Sequence, residues 1–160
     1  MNTTIGNIKD FKPISYNEKS KKYIVSWGLK NIGGDNYQWD YYLFNYKPSI
    51  NDIKNIINNS INEKTKQYIT NKFEWNGMSI YLSLENQIDY KLLLDTTLLS
   101  DGANLPEKVK FKVNGENFYY SFETIDDMKD FIIAMNNHIR KHINNGNNAK
   151  DEINYDEYII

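Results

Sequence analysis

The sequence has no cysteine, one arginine (Arg140), three alanines and three prolines, and no apolar run long enough to span a bilayer. Each shortage excludes something. Without cysteine there can be no disulfide framework, no thiolate nucleophile and no zinc site built on sulfur. With 19 Lys+Arg against 21 Asp+Glu the net charge is −2, so the basic excess that phosphate binding demands is missing and nucleic acid is not an expected partner. The longest apolar runs, such as 131–135, are far short of a membrane span, and the first ten residues lack the basic and apolar blocks of a signal peptide. The expected place of synthesis is a cell's cytoplasm.

What is abundant is Asn (24), Ile (21), Lys (18) and Tyr (13). These are residues of A/T-rich codons, and their excess reflects coding drift more than a physical requirement. The 160 residues include 40% hydrophobic ones, enough for a real core.

Periodicity predicts an α+β fold of antiparallel hairpins packed on three main helices, in a single compact domain. A strand runs through Tyr23-Ile24-Val25-Ser26-Trp27-Gly28-Leu29 with Tyr23, Val25, Trp27 and Leu29 on one face. Gly33-Gly34 turns it, and the return strand, 37–46, puts Tyr37, Trp39, Tyr41 and Leu43 on one face and Tyr42, Phe44 and Tyr46 on the other. Ser49 and Asp52 form a capping box for a helix to about Tyr68, lined by Ile50, Ile53, Ile57 and Ile61. Asn76-Gly77 and Asn114-Gly115 centre two further hairpins, because both residues of a type I′ turn need positive φ. Between them Ser83 caps a helix over 84–99, with Gly102 and Pro106 beyond it. Val109, Phe111 and Val113 alternate with Lys108, Lys110 and Lys112, which face outward. Thr124 and Asp127 cap a last helix, from Ile125 to about Asn144, which Gly146 ends. The chain divides at residues 70 and 152, leaving 153–160 as an acidic tail with an apolar end.

The search for chemistry finds little. His138 and His142 share a helical face, but Ile139 stands where H-E-x-x-H has its glutamate, and Arg140 and Lys141 disfavour a divalent cation. The pair reads as a basic C-terminal turn meeting the helix dipole. There is no G-x-S-x-G and no phosphate loop, so neither catalysis nor a cofactor or metal is expected. Trp27, Trp39, Trp75, Phe111 and Phe122 read as core. A return strand apolar on both faces is either covered on both sides, half of a protein interface, or a platform for a sugar. Interface candidates are therefore Tyr42, Phe44, Tyr46 and Tyr119. Tyr158, Ile159 and Ile160 join them, because the tail either adds as a strand to a neighbour or caps the domain's own sheet.

Phe73-Glu74-Trp75-Asn76-Gly77-Met78, Ser83-Leu84-Glu85-Asn86-Gln87, Leu105-Pro106, Tyr119-Tyr120-Ser121-Phe122, and Gly146 with Lys150 form an ordered set. Together they resemble a family of uncharacterised virion-associated proteins from tailed phages and prophages of gut anaerobes, including crAss-like phages. The set is also similar to a domain of unknown function in tail-fibre-associated phage proteins. The resemblance covers roughly residues 66–152. It implies a structural component of the virion, associated with a head or tail fibre, whose partners are other virion proteins or a second copy of itself. It carries no catalytic residues to transfer, and leaves 23–68 as the part that selects the partner. The rival expectations are a fibre-assembly chaperone absent from the finished particle and a glycan-binding module for host attachment.

Overall fold

The computed structural model describes residues 2–159. The element order is β1 (Asn2–Gly6), a 3-10 turn, β2 (Ile14–Asn17), β3 (Lys22–Gly33), β4 (Asn36–Phe44), α1 (Ile50–Asn71), β5 (Phe73–Trp75), β6 (Met78–Ile80), α2 (Leu84–Leu99), β7 (Glu107–Val113), β8 (Glu116–Phe122), α3 (Ile125–Asp151) and a 3-10 turn over Tyr155–Tyr158. The α+β class, the antiparallel hairpins and the three main helices are as the sequence predicts. Two compact units share the chain: residues 1–63 with 146–160, and residues 64–145.

The first unit is an antiparallel sheet in the order β1-β4-β3-β2. Its helix-facing side is set by register. Tyr23 pairs with Phe44 and Val25 with Tyr42, so these four side chains share a face. Val25, Trp27 and Phe44 are buried there with Ile53 and Ile57 of α1. Ser49 and Asp52 make the expected capping box: the Asp52 amide donates to Ser49 Oγ at 3.2 Å and the Ser49 amide to Asp52 Oδ2 at 2.9 Å.

Three features of this unit depart from the sequence reading. Gly28 has φ +68° and opens a bulge between Trp27 and Lys30, so Leu29 leaves the buried face and stands in solvent. The edge strand β1 is short and polar with no apolar alternation to announce it, and in β2 the alternation of Ile14 and Tyr16 spans only four residues. The C-terminal segment is no separate tail, because Tyr158 is 5% exposed within this unit's core and its hydroxyl donates to the Ser26 carbonyl at 2.7 Å.

The second unit carries the sheet β5-β6-β7-β8, also antiparallel. Both Asn-Gly turns adopt positive φ at each central residue, +47° and +74° at Asn76-Gly77 and +51° and +87° at Asn114-Gly115. Inward side chains Phe73, Trp75, Ile80, Val109, Phe111 and Phe122 meet Tyr90 of α2 and Met128, Phe131 and Met135 of α3. Ser83 caps α2 by accepting from the Asn86 amide. Beyond α2, Asn104 donates to Thr97 Oγ1 at 3.0 Å, which in turn donates to the Leu93 carbonyl, fixing the helix exit. Thr124 Oγ1 accepts the Asp127 amide, while the Asp127 carboxylate accepts the Tyr120 hydroxyl and ties β8 to α3.

Gly146 does not end α3, which continues to Asp151. A glycine inside a helix costs only about 1 kcal/mol, which the rest of this long helix can carry.

Candidate functional site

The structure separates the residues that the sequence nominates as one interface. Phe44 is buried and Tyr42 half-buried against α1, so this pair belongs to the first unit's core. Both are withdrawn as contact residues, since a strand apolar on both faces leaves the choice of covered face to the helix packed on it. Tyr46 lies just past β4, 56% exposed, with its ring edge-on to Phe44 at 5.5 Å. Tyr158 is likewise withdrawn, held in the core by its ring and its hydroxyl. Burial pushes its phenol pKa up, with the negative charge of Glu157 adding to the effect. Ile159 is exposed, and Ile160 lies outside the described residues. Tyr119 belongs to the second unit, where it is exposed on the outer face of β8 with the Lys108 ammonium 5.1 Å above its ring.

Among the described residues, three surfaces stand out. On the first unit, the sheet face opposite α1 holds a cleft of about 380 Å³ whose floor includes Ile24, Ser26, Trp39, Tyr41 and Leu43. On the second, Lys108, Lys110 and Lys112 line the outer face of β7, and a smaller cleft of about 270 Å³ lies beside Ser79, Tyr81 and Lys112. The third is α2. Leu84, Ile88 and Leu92 stand 67%, 50% and 57% exposed, and Leu99 is 90% exposed. Steps of four residues stack Leu84, Ile88 and Leu92 in one ridge on the side away from Tyr90 and Thr97, and Leu99 stands on the same side two turns further on, beyond Asp95. A helix apolar on both sides is readable from its sequence: Tyr90, Leu93, Leu94 and Thr97 occupy the inner face, so the other leucines must face out. Sequence reasoning missed this row because the helix was placed by its caps and not by its two faces.

The histidine pair is a packing unit. His138 Nε2 donates to the Ile69 carbonyl at 3.1 Å, which places its proton on that nitrogen. Its ring lies edge-on to His142 at 4.6 Å, and His142 stacks on Tyr68 at 5.5 Å. Among the described residues no group of three or more His, Asp or Glu could hold a metal. Burial lowers the His142 pKa from 6.5, and neighbouring His138 and Lys141 lower it further. Its unfolded form therefore takes up a proton more readily than the folded form, and stability falls as pH drops through and below about 6.5. Urea unfolding at pH 7.5 and 5.5 should show this loss, and His142→Asn should reduce it. Asp52 and Glu85, whose carboxyls are held low by hydrogen bonds with Ser49 and with the Glu85 amide and Ser83, lose stabilisation only in more acid solution.

No protein-family model matches the chain, and neither a curated protein nor a solved structure matches it. Among the described residues, no helix is long and apolar enough to cross a membrane.

Proposed function

We propose that the chain is a structural component of a tailed-phage virion, associated with a head or tail fibre, that works through protein-protein contacts and not through catalysis. The observation that carries this reading is the open apolar row on α2. Leu84, Ile88 and Leu92 form a three-turn ridge, with Leu99 two turns further on past Asp95, and monomeric proteins seldom leave a large apolar patch in water. Glu85, Asp89 and Lys91 are exposed beside Leu84, Ile88 and Leu92, and Asp95 closes the end of that row, giving the apolar centre and charged rim of a protein interface. The motifs that resemble fibre-associated phage proteins include the capped start of this same helix, Ser83-Leu84-Glu85-Asn86-Gln87.

The contact is assigned to α2 and no longer to the Tyr42-Phe44 face. An i,i+4 ridge packs well into the grooves of a second such ridge, so the favoured arrangement is a two-fold dimer that docks among other virion proteins.

Changing Leu84, Ile88 and Leu92 together to Glu should shift the solution mass from dimer to monomer and abolish recovery with purified virions. The thermal midpoint should fall only by what loss of the dimer removes and the variant should still fold, because within one protomer all three side chains are solvent-facing. A wild-type protein that is a stable monomer, and that mass spectrometry does not find in virions, sinks the proposal. Presence during assembly but absence from finished particles would instead identify a chaperone.

A further inference from the structure

We infer that the open face of the first sheet is a binding cleft for a neutral saccharide. The site is separate from the α2 ridge, and its test does not depend on whether the chain is a virion component.

The cleft spans all four strands. Register sets Thr4 of β1 opposite Trp39 of β4, Tyr41 of β4 opposite Ser26 of β3, and Ser15 of β2 opposite Ile24 of β3. Side chains two apart on a strand share a face, so Trp39, Tyr41 and Leu43 form one continuous row there. The connection between β1 and β2 supplies Asp10 and Lys12 at the edge, and the turn after β2 supplies Ser20.

The wall is built in advance. A Cβ on Gly6 would come within 2.8 Å of Trp39 Cη2, so only glycine lets the strand cross the indole there. Phe11 closes the same ring edge-on at 5.8 Å. Trp39 is thus pinned and 7% exposed, while Tyr41 beside it remains half open.

The chemistry of the lining selects the ligand class. The volume lies within the usual range for small-molecule sites. Hydroxyls of Thr4, Ser15, Ser20 and Tyr41 can each donate and accept, which suits a ligand whose own groups do the same. Asn17 uses its carbonyl to hold the Ser20 amide at 3.0 Å, leaving its NH₂ as a donor. Tyr41, Leu43 and Ile24 offer an apolar strip for the C–H face of a sugar ring. Among the described residues the cleft is lined by two charged groups, one of each sign, a poor match for a phosphate or an acidic polymer. A purely apolar ligand would strip water from these hydroxyls and give nothing back. A neutral polyol matches both halves of the surface.

The experiment is an array of neutral, sialylated and sulfated oligosaccharides probed with the full chain. Hits are followed by titration of wild type, Tyr41→Ala, Tyr41→Phe, Asn17→Ala and Tyr119→Ala. The expected result is binding to neutral glycans, weakened about tenfold or more by Tyr41→Ala and by Asn17→Ala. Tyr41→Phe should keep part of the affinity, and Tyr119→Ala, in the other unit, should leave it unchanged. Asn17 is exposed, so its variant reports on the cleft even if Tyr41→Ala fails to fold. No binding to any neutral glycan overturns the inference. So does binding confined to acidic glycans, or binding that the Asn17 and Tyr41 variants leave intact.

Discussion

Replacing Tyr158 by alanine should lower stability by about 3–5 kcal/mol and the thermal midpoint by roughly 10 °C, although the residue stands near the end of an acidic, polar segment. Its ring is packed with Val25, Trp27, Phe44, Ile53 and Ile57, and Ile153 and Tyr155 pack around the same cluster. Removing it leaves a cavity the size of an aromatic ring in a small core. Tyr158→Phe keeps the ring and removes only the bond to the Ser26 carbonyl, for an expected loss of about 1 kcal/mol.

The phenol also gives a second signature. Its folded pKa is raised, so above about pH 10 the unfolded chain ionises before the folded one and stability declines. Tyr158→Phe should remove its share of that alkaline loss. Truncation from Asn154 onward should fall at least as far as Tyr158→Ala. An unchanged midpoint together with lost assembly would return this segment to the role of a strand or plug offered to a neighbour.

Local chemistry made part of this fold readable. Asn76-Gly77 and Asn114-Gly115 need positive φ, and Ser49-Asp52 and Ser83 satisfy helix-end amides, so the hairpin turns and helix starts follow from a few residues in sequence. Long-range pairing was not readable. Nothing in Asn-Thr-Thr-Ile-Gly announces that β1 pairs with β4, 35 residues on, with Thr3 Oγ1 bonded to Asp40 at 2.9 Å. Gly28 did carry a signal, since a glycine within a strand often marks a bulge, and heeding it would have moved Leu29 off the buried face.

The site was harder, for a physical reason. Alternation in β4 separates Tyr42 and Phe44 from Trp39, Tyr41 and Leu43, but both sets are apolar. Which set is covered depends on where α1 packs, and that depends on Ile53 and Ile57 meeting Val25 and Phe44. The Tyr42 side is core, the covered-face alternative, and Trp39 is buried as a core residue should be, but on the opposite face, where Tyr41 and Leu43 beside it stay partly open. On α2 the information was present in the sequence, because eight apolar residues distributed around a single helix cannot all face inward.

The second large effect is expected at Phe131, the side chain at the centre of the second unit's aromatic cluster. Its ring lies 5.0–5.8 Å from those of Phe73, Trp75, Tyr90, Phe111 and Phe122, in orientations from stacked to edge-on, and it is 1% exposed. Phe131→Ala should destabilise by about 4–5 kcal/mol, the upper part of the range for buried phenylalanine, because each ring pair adds to the area term. Two controls separate packing from mere hydrophobicity. Phe118, paired with Phe111 across the hairpin but 43% exposed, should lose no more than about 1 kcal/mol on change to Ala. Tyr90 touches both Phe111 and Phe131, and its hydroxyl is buried without a hydrogen-bond partner among the described residues. Burial pushes that phenol up to about 12, in keeping with a hydroxyl shielded from water. Tyr90→Phe should therefore be neutral or stabilising by about 1 kcal/mol, since it keeps every ring contact and removes an unpaired polar atom. Chemical denaturation of the four proteins tests the order directly. A Tyr90→Phe variant as damaging as Phe131→Ala would mean that the hydroxyl is bonded in solution, and that this core is held by a polar contact as well as by its rings.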